Sequence, residues 1–193
     1  MIPRAAQLPH HAAACVGLAL TLLATALLYV PGLTGALYYD DIRPLSGLAN
    51  VVDLDSALYY LSSEISGPLG RPLSMLSFLL HIEDWPGAIE NIFLFNVLLH
   101  LANGTLVALL AHRLLSLCGP KGSTPAWIAI GASALWMLMP LQVSSSLIAV
   151  QRMATLSAFF VLAGLLIHLQ GITIEDRRPT LGAALQALGL VGF

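Results

Sequence analysis

Charge is what this chain has least of. Asp, Glu, Lys and Arg make up 9% of its 193 residues, against about 25% in a soluble domain. So few charges cannot furnish a solvated surface, whereas 58% hydrophobic residues and a mean hydropathy of +0.84 suit a lipid solvent. The chain reads as an integral membrane protein. Its net charge of -2 carries no basic excess, so no nucleic acid is expected as a partner. Cysteine is scarce too. Cys15 and Cys118 supply neither a disulfide framework nor metal-ligand spacing.

What is present in quantity is long apolar sequence. Residues 12–30 run without a charge, enough for one crossing. The run exceeds a signal-peptide core, and Thr34-Gly35-Ala36 is a poor cleavage site, so a retained span is expected. Further spans are expected at about 91–112, 126–139 (short, closed by Pro140) and 147–169, with a fifth starting near 180. The last stretch, TLGAALQALGLVGF, is about 14 residues long where a span needs roughly 20. It reads as a truncated span, and the chain as the N-terminal part of a longer protein. The fold class predicted is all-α: a multispanning transmembrane bundle of about five spans.

Orientation follows the Lys/Arg bias of the loops. Arg4, Arg113, Lys121, Arg177 and Arg178 are five of the eight basic residues, and all fall on one side. That side, with the N-terminus, is expected to be cytoplasmic. The extracytoplasmic side then holds the long 31–90 loop, with eight of the ten acids. The spacing of Leu58, Leu61 and Ile65 gives one helical face, and Asp55 or Ser56 is the expected cap. PLSMLSFLLH, 72–81, starts with Pro72 at a first helical position but is too short to cross. Short interfacial helices are therefore expected in this loop. Trp85 and the pairs Tyr38-Tyr39 and Tyr59-Tyr60 suit the headgroup belt.

Polar residues in such a chain are the candidates for function. Asp40 and Asp41 stand side by side just after the first span. Adjacent carboxylates repel unless a cation or a donor lies between them. The pair is thus a candidate general base or a ligand for a divalent cation such as Mg or Mn, with a solvated loop start as the plain alternative. Asn96, His100 and Asn103 fall on one face of the second span, where they face protein or a wet cavity. Interhelical hydrogen bonding is the plain reading, favoured for Asn103 and left open for His100. Arg152, beside Gln151 at the start of the fourth span, needs an anionic partner or an outward path. Its planar fork matches phosphate oxygens. Arg71 is a looser case of the same kind.

Four stretches in order carry a resemblance: YYDD at 38–41, GRPLSMLSFLLH at 70–81, NIFLFNVLLHLANGTLVALLAHRLL at 91–115 and MPLQVSSSLIAVQRMATLSAFF at 139–160. The chain resembles the GT-C membrane glycosyltransferases, and among them the kind that carries C-terminal tetratricopeptide repeats. The resemblance implies a polyprenyl-phosphate-linked sugar as donor and inverting transfer on the extracytoplasmic face to a Ser/Thr-bearing protein or a glycan acceptor. It also implies residence in a membrane, the bacterial inner membrane first. By the same resemblance Asp40 or Asp41 is the catalytic carboxylate. Arg152 is the lipid-phosphate arginine, and Arg71 matches the family's arginine before Pro-Leu. Asn96 and His100, from the polar face of the second span, and Gln151, beside Arg152, are further candidates for the substrate site. Met139-Pro140 stands where the family has His-Pro, and Ser144 where it has an acid.

The alternative class is a non-catalytic membrane protein, part of a transporter or a scaffold. A transporter half should carry an internal repeat with matching interrupted helices. The 193 residues hold no such repeat, whereas acids at the external surface, which an enzyme needs, are present.

Overall fold

The structure, a computed structural model, describes residues 4–63, 71–119, 122–175 and 178–191. Ile65, Lys121 and Arg177, used in the sequence reading, lie outside the described residues. Every regular element among the described residues is helical. In chain order the α-helices are α1 (Arg4–Tyr29), α2 (Tyr39–Ser46), α3 (Leu54–Ser62), α4 (Pro72–Phe78), α5 (Ile89–Cys118), α6 (Thr124–Met137), α7 (Pro140–Leu147), α8 (Arg152–Glu175) and α9 (Pro179–Val191). Short 3-10 turns follow α1, α2, α4 and α7.

Three stretches, Ala12–Thr34, Ile89–Cys118 and Ala149–Glu175, are long and apolar enough to cross a membrane. A fourth exists if Thr124–Met137 and Leu141–Leu147, bent by 70°, form one span. The bend has a local cause. Proline lacks an N–H and disfavours helix in the residue before it, so α6 stops at Met137 and Pro140 opens α7. α9 has 13 residues, short of a crossing. The chain is therefore a membrane protein with three to four candidate spans.

The chain divides into two units. The first comprises Met1–Leu28, His100–Met139 and Ser157–Phe193. Small residues let its helices approach closely. A Cβ on Gly171 would sit 2.7 Å from the Gly182 carbonyl, and one on Gly189 2.6 Å from that of Gly164, so α8 and α9 touch backbone to backbone. His168 Nδ1 donates to the Gln186 carbonyl across the same contact, at 3.0 Å. Between α5 and α6, Ser133 Oγ donates to the Gly104 carbonyl at 2.6 Å.

The second unit comprises Tyr29–Leu99 and Pro140–Leu156. Its core gathers Leu45, Leu48, Tyr60, Met75, Phe78, Ile92, Phe93 and Ala149. Each Leu, Ile, Met or Phe side chain among them contributes about 1.5–3 kcal/mol by leaving water. The described residues of the first loop, 39–63 and 71–81, hold the short helices α2, α3 and α4; the spacing of Leu58 and Leu61 predicts α3, and Pro72 opens α4 as expected. The cap of α3 is Asp53 rather than Asp55 or Ser56. Asp53 has extended backbone, and its carboxylate accepts from the Ser56 N–H at 2.8 Å while Ser56 Oγ accepts from the Asp53 N–H at 2.9 Å. The Ser56 hydroxyl, which donates to the same carboxylate at 2.6 Å, and then the Ser56 N–H draw the Asp53 carboxyl below its ordinary range. The Tyr59-Tyr60 pair also divides. Tyr59 is exposed, but Tyr60 is buried in the core and donates its hydroxyl to the Pro44 carbonyl at 2.9 Å.

Candidate functional site: an acid-and-arginine cavity

The second unit contains a cavity of about 520 Å³, within the roughly 300–1,000 Å³ typical of small-molecule sites. Tyr39, Asp40, Arg43, Arg71, Gln151 and Met153 are among its lining residues. Three local features bring these side chains together. α2 begins at Tyr39, five residues after the first candidate span ends at Thr34, and so places Asp40 six residues past that end. Arg71 is the residue immediately before α4, half-buried. Gln151 ends the 3-10 turn that leads into α8, at the start of another candidate span. The cavity thus draws its lining from residues at the ends of two candidate spans.

The two adjacent aspartates have separate fates. Asp41 is fully buried. One of its carboxylate oxygens accepts from the Tyr38 N–H at 3.0 Å, closing the first turn of α2. The other accepts from the Val150 N–H at 2.7 Å, across 109 positions of sequence. Asp40 is exposed and lines the cavity. The helix explains the split. Asp41, Pro44, Leu45 and Leu48 recur at the spacing of a buried face, which leaves Asp40 and Arg43, three apart, together on the other side. The repulsion within the pair is thus relieved by backbone donors to Asp41. Acids in the first turn of α2 and Arg43 in its last also suit the helix dipole.

A two-carboxylate cation site does not fit this arrangement. Both oxygens of Asp41 are engaged by backbone amides. Among the described residues no three of His, Cys, Asp and Glu gather to hold a metal ion.

Arg152 does not line the cavity, and neither the anionic partner nor the outward path expected of it is what it has. The side chain is fully buried. Nε donates to Asn96 Oδ1 at 2.7 Å, and the terminal nitrogens donate to the Ser77 carbonyl at 3.1 Å and the Ile92 carbonyl at 2.9 Å. The rings of Phe78 and Phe95 each lie with their centre 4.4 Å from its guanidinium carbon. Electron-rich ring faces and carbonyl dipoles replace the anion that the sequence reading required. Asn96 completes the knot by donating to the Ile148 carbonyl at 3.2 Å. His100, in the first unit, is buried against Trp136 and donates from Nε2 to the Met137 carbonyl at 3.1 Å. Of the residues expected in the substrate site, Arg71 and Gln151 therefore line the cavity, while Arg152, Asn96 and His100 serve helix contacts.

Arg43 is the lining residue that sequence reasoning passed over. Its signal was available: it stands one helical turn from Asp40. A further polar group lies in the same unit outside the cavity lining. His81 Nδ1 is 2.7 Å from an oxygen of Asp84, whose other oxygen accepts from Asn91 at 2.7 Å. Burial draws the imidazole below its ordinary range, against the pull of Asp84, and the charge of Arg152 adds to the lowering. Asn91 first, then His81, holds the Asp84 carboxyl below its own.

No family model, curated protein or solved structure matches the chain.

Proposed function

We propose that the chain is the membrane part of a GT-C-type glycosyltransferase, acting on a polyprenyl-phosphate-linked sugar at the extracytoplasmic face. The observation that carries this reading is one carboxylate and two guanidinium groups, Asp40, Arg43 and Arg71, lining a single cavity at the ends of two candidate spans. A lipid-linked donor has its phosphate at that level because its tail lies in the bilayer. Asp40 accepts the proton of an acceptor hydroxyl, on a protein Ser or Thr or on a glycan. The hydroxyl oxygen attacks the anomeric carbon from the face opposite the leaving group. The bond from that carbon to the phosphate oxygen breaks, and the electron pair leaves on the phosphate. Arg43 and Arg71 meet the charge that develops there. Asp41 and Arg152 act through the backbone they hold, as positioning residues.

The same reading takes the 31–90 loop as extracytoplasmic, the N-terminus as cytoplasmic and the membrane as the bacterial inner one.

The test is sugar transfer by the full-length protein in membranes, from a polyprenyl-phosphate donor. Removing a general base costs about 10²–10⁴ in rate, and Asp40→Asn is expected to lose that much while remaining folded. Arg71→Ala is expected to weaken donor binding. Full activity in Asp40→Asn would remove the catalytic assignment. Absence of transfer by the wild type with every donor would favour a scaffold or transporter part.

A further inference from the structure

The first unit carries a second cleft, of about 310 Å³, which the proposed transfer does not use. Its walls are Leu109 from α5, Leu166 and Ile167 from α8 and Leu185 from α9, with Arg113 and Gln170 as its polar residues. We propose that this cleft binds an anionic phospholipid, with the headgroup phosphate on Arg113 and Gln170 and one acyl chain along the leucine and isoleucine walls.

Three observations carry it. Arg113 is exposed, and no carboxylate among the described residues lies within ion-pair distance of it. A guanidinium offers a fork of donors that fits phosphate oxygens, and Gln170 adds an amide beside it. Second, both polar residues sit near the ends of candidate spans. Arg113 is five positions before the end of Ile89–Cys118, and Gln170 five before the end of Ala149–Glu175. Helix ends are where a span meets headgroups, whereas the apolar residues reach back toward the middle of each helix. Third, the glycine contacts of α8 with α9 fix one wall backbone to backbone. Arg178, between α8 and α9, adds a second cation at that end of both helices. Basic pockets between helices at this level are suited to acidic headgroups, and the apolar walls select a lipid over a free phosphate.

The experiment is native mass spectrometry of the full chain released from nanodiscs holding equal phosphatidylglycerol and phosphatidylcholine. The wild type is expected to retain phosphatidylglycerol about tenfold over phosphatidylcholine, a ratio equivalent to about 1.4 kcal/mol. Arg113→Gln should remove the preference, and Arg113→Lys should keep part of it. Leu185→Trp, which fills the cleft, should lower retention of both lipids. Soluble glycerol phosphate should not displace the bound lipid. Thermal unfolding in detergent identifies variants that are folded. Equal retention of the two lipids by the wild type would overturn the site. So would an unchanged preference in folded Arg113→Gln, or displacement by glycerol phosphate. Sugar transfer does not enter this readout, so the lipid site and the transferase reading fail separately.

Discussion

The two units differ in what holds their helices. The first has side-chain bonds to carbonyls from Ser133, His100 and His168, and adds a contact made by what is missing from side chains: glycines on α8 and α9 bring carbonyls within about 2.7 Å of where a Cβ would be. The second relies on polar side chains carried into the interior. Asp41, Asn96 and Arg152 are each fully buried and each bonded to backbone or to one another. A contact built on small residues forms wherever two smooth helices meet. A knot of buried polar groups forms in one arrangement only, because every partner left out costs its desolvation. The cavity lies in the unit built the second way, which is where fixed geometry is of use.

The largest effect is expected at Arg152. Arg152→Met keeps much of the apolar stem but strips donors from Asn96 and from the Ser77 and Ile92 carbonyls, a loss of about 3–5 kcal/mol. Thermal unfolding in detergent measures it, and stability within 1 kcal/mol of wild type would refute the structural role. Next comes the aspartate pair. Asp41→Asn turns an amide donor toward at least one backbone N–H and should cost about 1–3 kcal/mol. Asp40→Asn, one position away, should stay within about 0.5 kcal/mol. Equal effects on stability would erase the distinction between the buried and the cavity-facing acid. In the first unit, Gly171→Val forces α8 and α9 apart and should cost about 1–3 kcal/mol. Crosslinking yield between cysteines placed on the two helices should fall with it.

The smallest effect concerns His81. Its folded-state value lies below the ordinary histidine value of about 6.5. The unfolded chain therefore binds the proton first, so this contribution to stability is complete above about pH 6.5 and is lost as the pH falls through the lower folded value. A stability profile between pH 7.5 and 5 should decline in the wild type and flatten in His81→Gln. An unchanged decline in the variant would assign the pH response elsewhere.

Hydropathy alone made the class and the long helices legible, because lipid demands long uncharged runs. Pro72 marked a helix start and Pro140 a helix end, for the same reason in each case, the absent N–H, but the helix α7 that Pro140 opens was not foreseen. In the first loop α3 and α4 were legible, from apolar spacing and from Pro72, whereas α2 was not, and the cap of α3 fell on Asp53, since a cap is decided by which residue takes extended backbone. The roles of Asp40 and Asp41 were half legible. Helical spacing over Asp41, Pro44, Leu45 and Leu48 separates them, whereas the Val150 amide that receives Asp41 is 109 positions away and leaves no local trace. Arg152 was misjudged on its partner. Two phenylalanine faces and two carbonyls from α4 and α5 can take the place of an anion, and no pattern near Arg152 announces them.

That long tie also sets an order of events during synthesis. A chain emerges N-terminus first, so Asp40 and Asp41 are made early, while the amide that seats Asp41 and the Gln151 side chain that lines the cavity follow more than a hundred residues later. Until Val150 appears, one oxygen of Asp41 has to find water or a surrogate donor. The first loop therefore remains provisional through the insertion of α5, α6 and α7. Chains arrested before Val150 should leave this loop open to protease, and chains arrested after α8 should protect it.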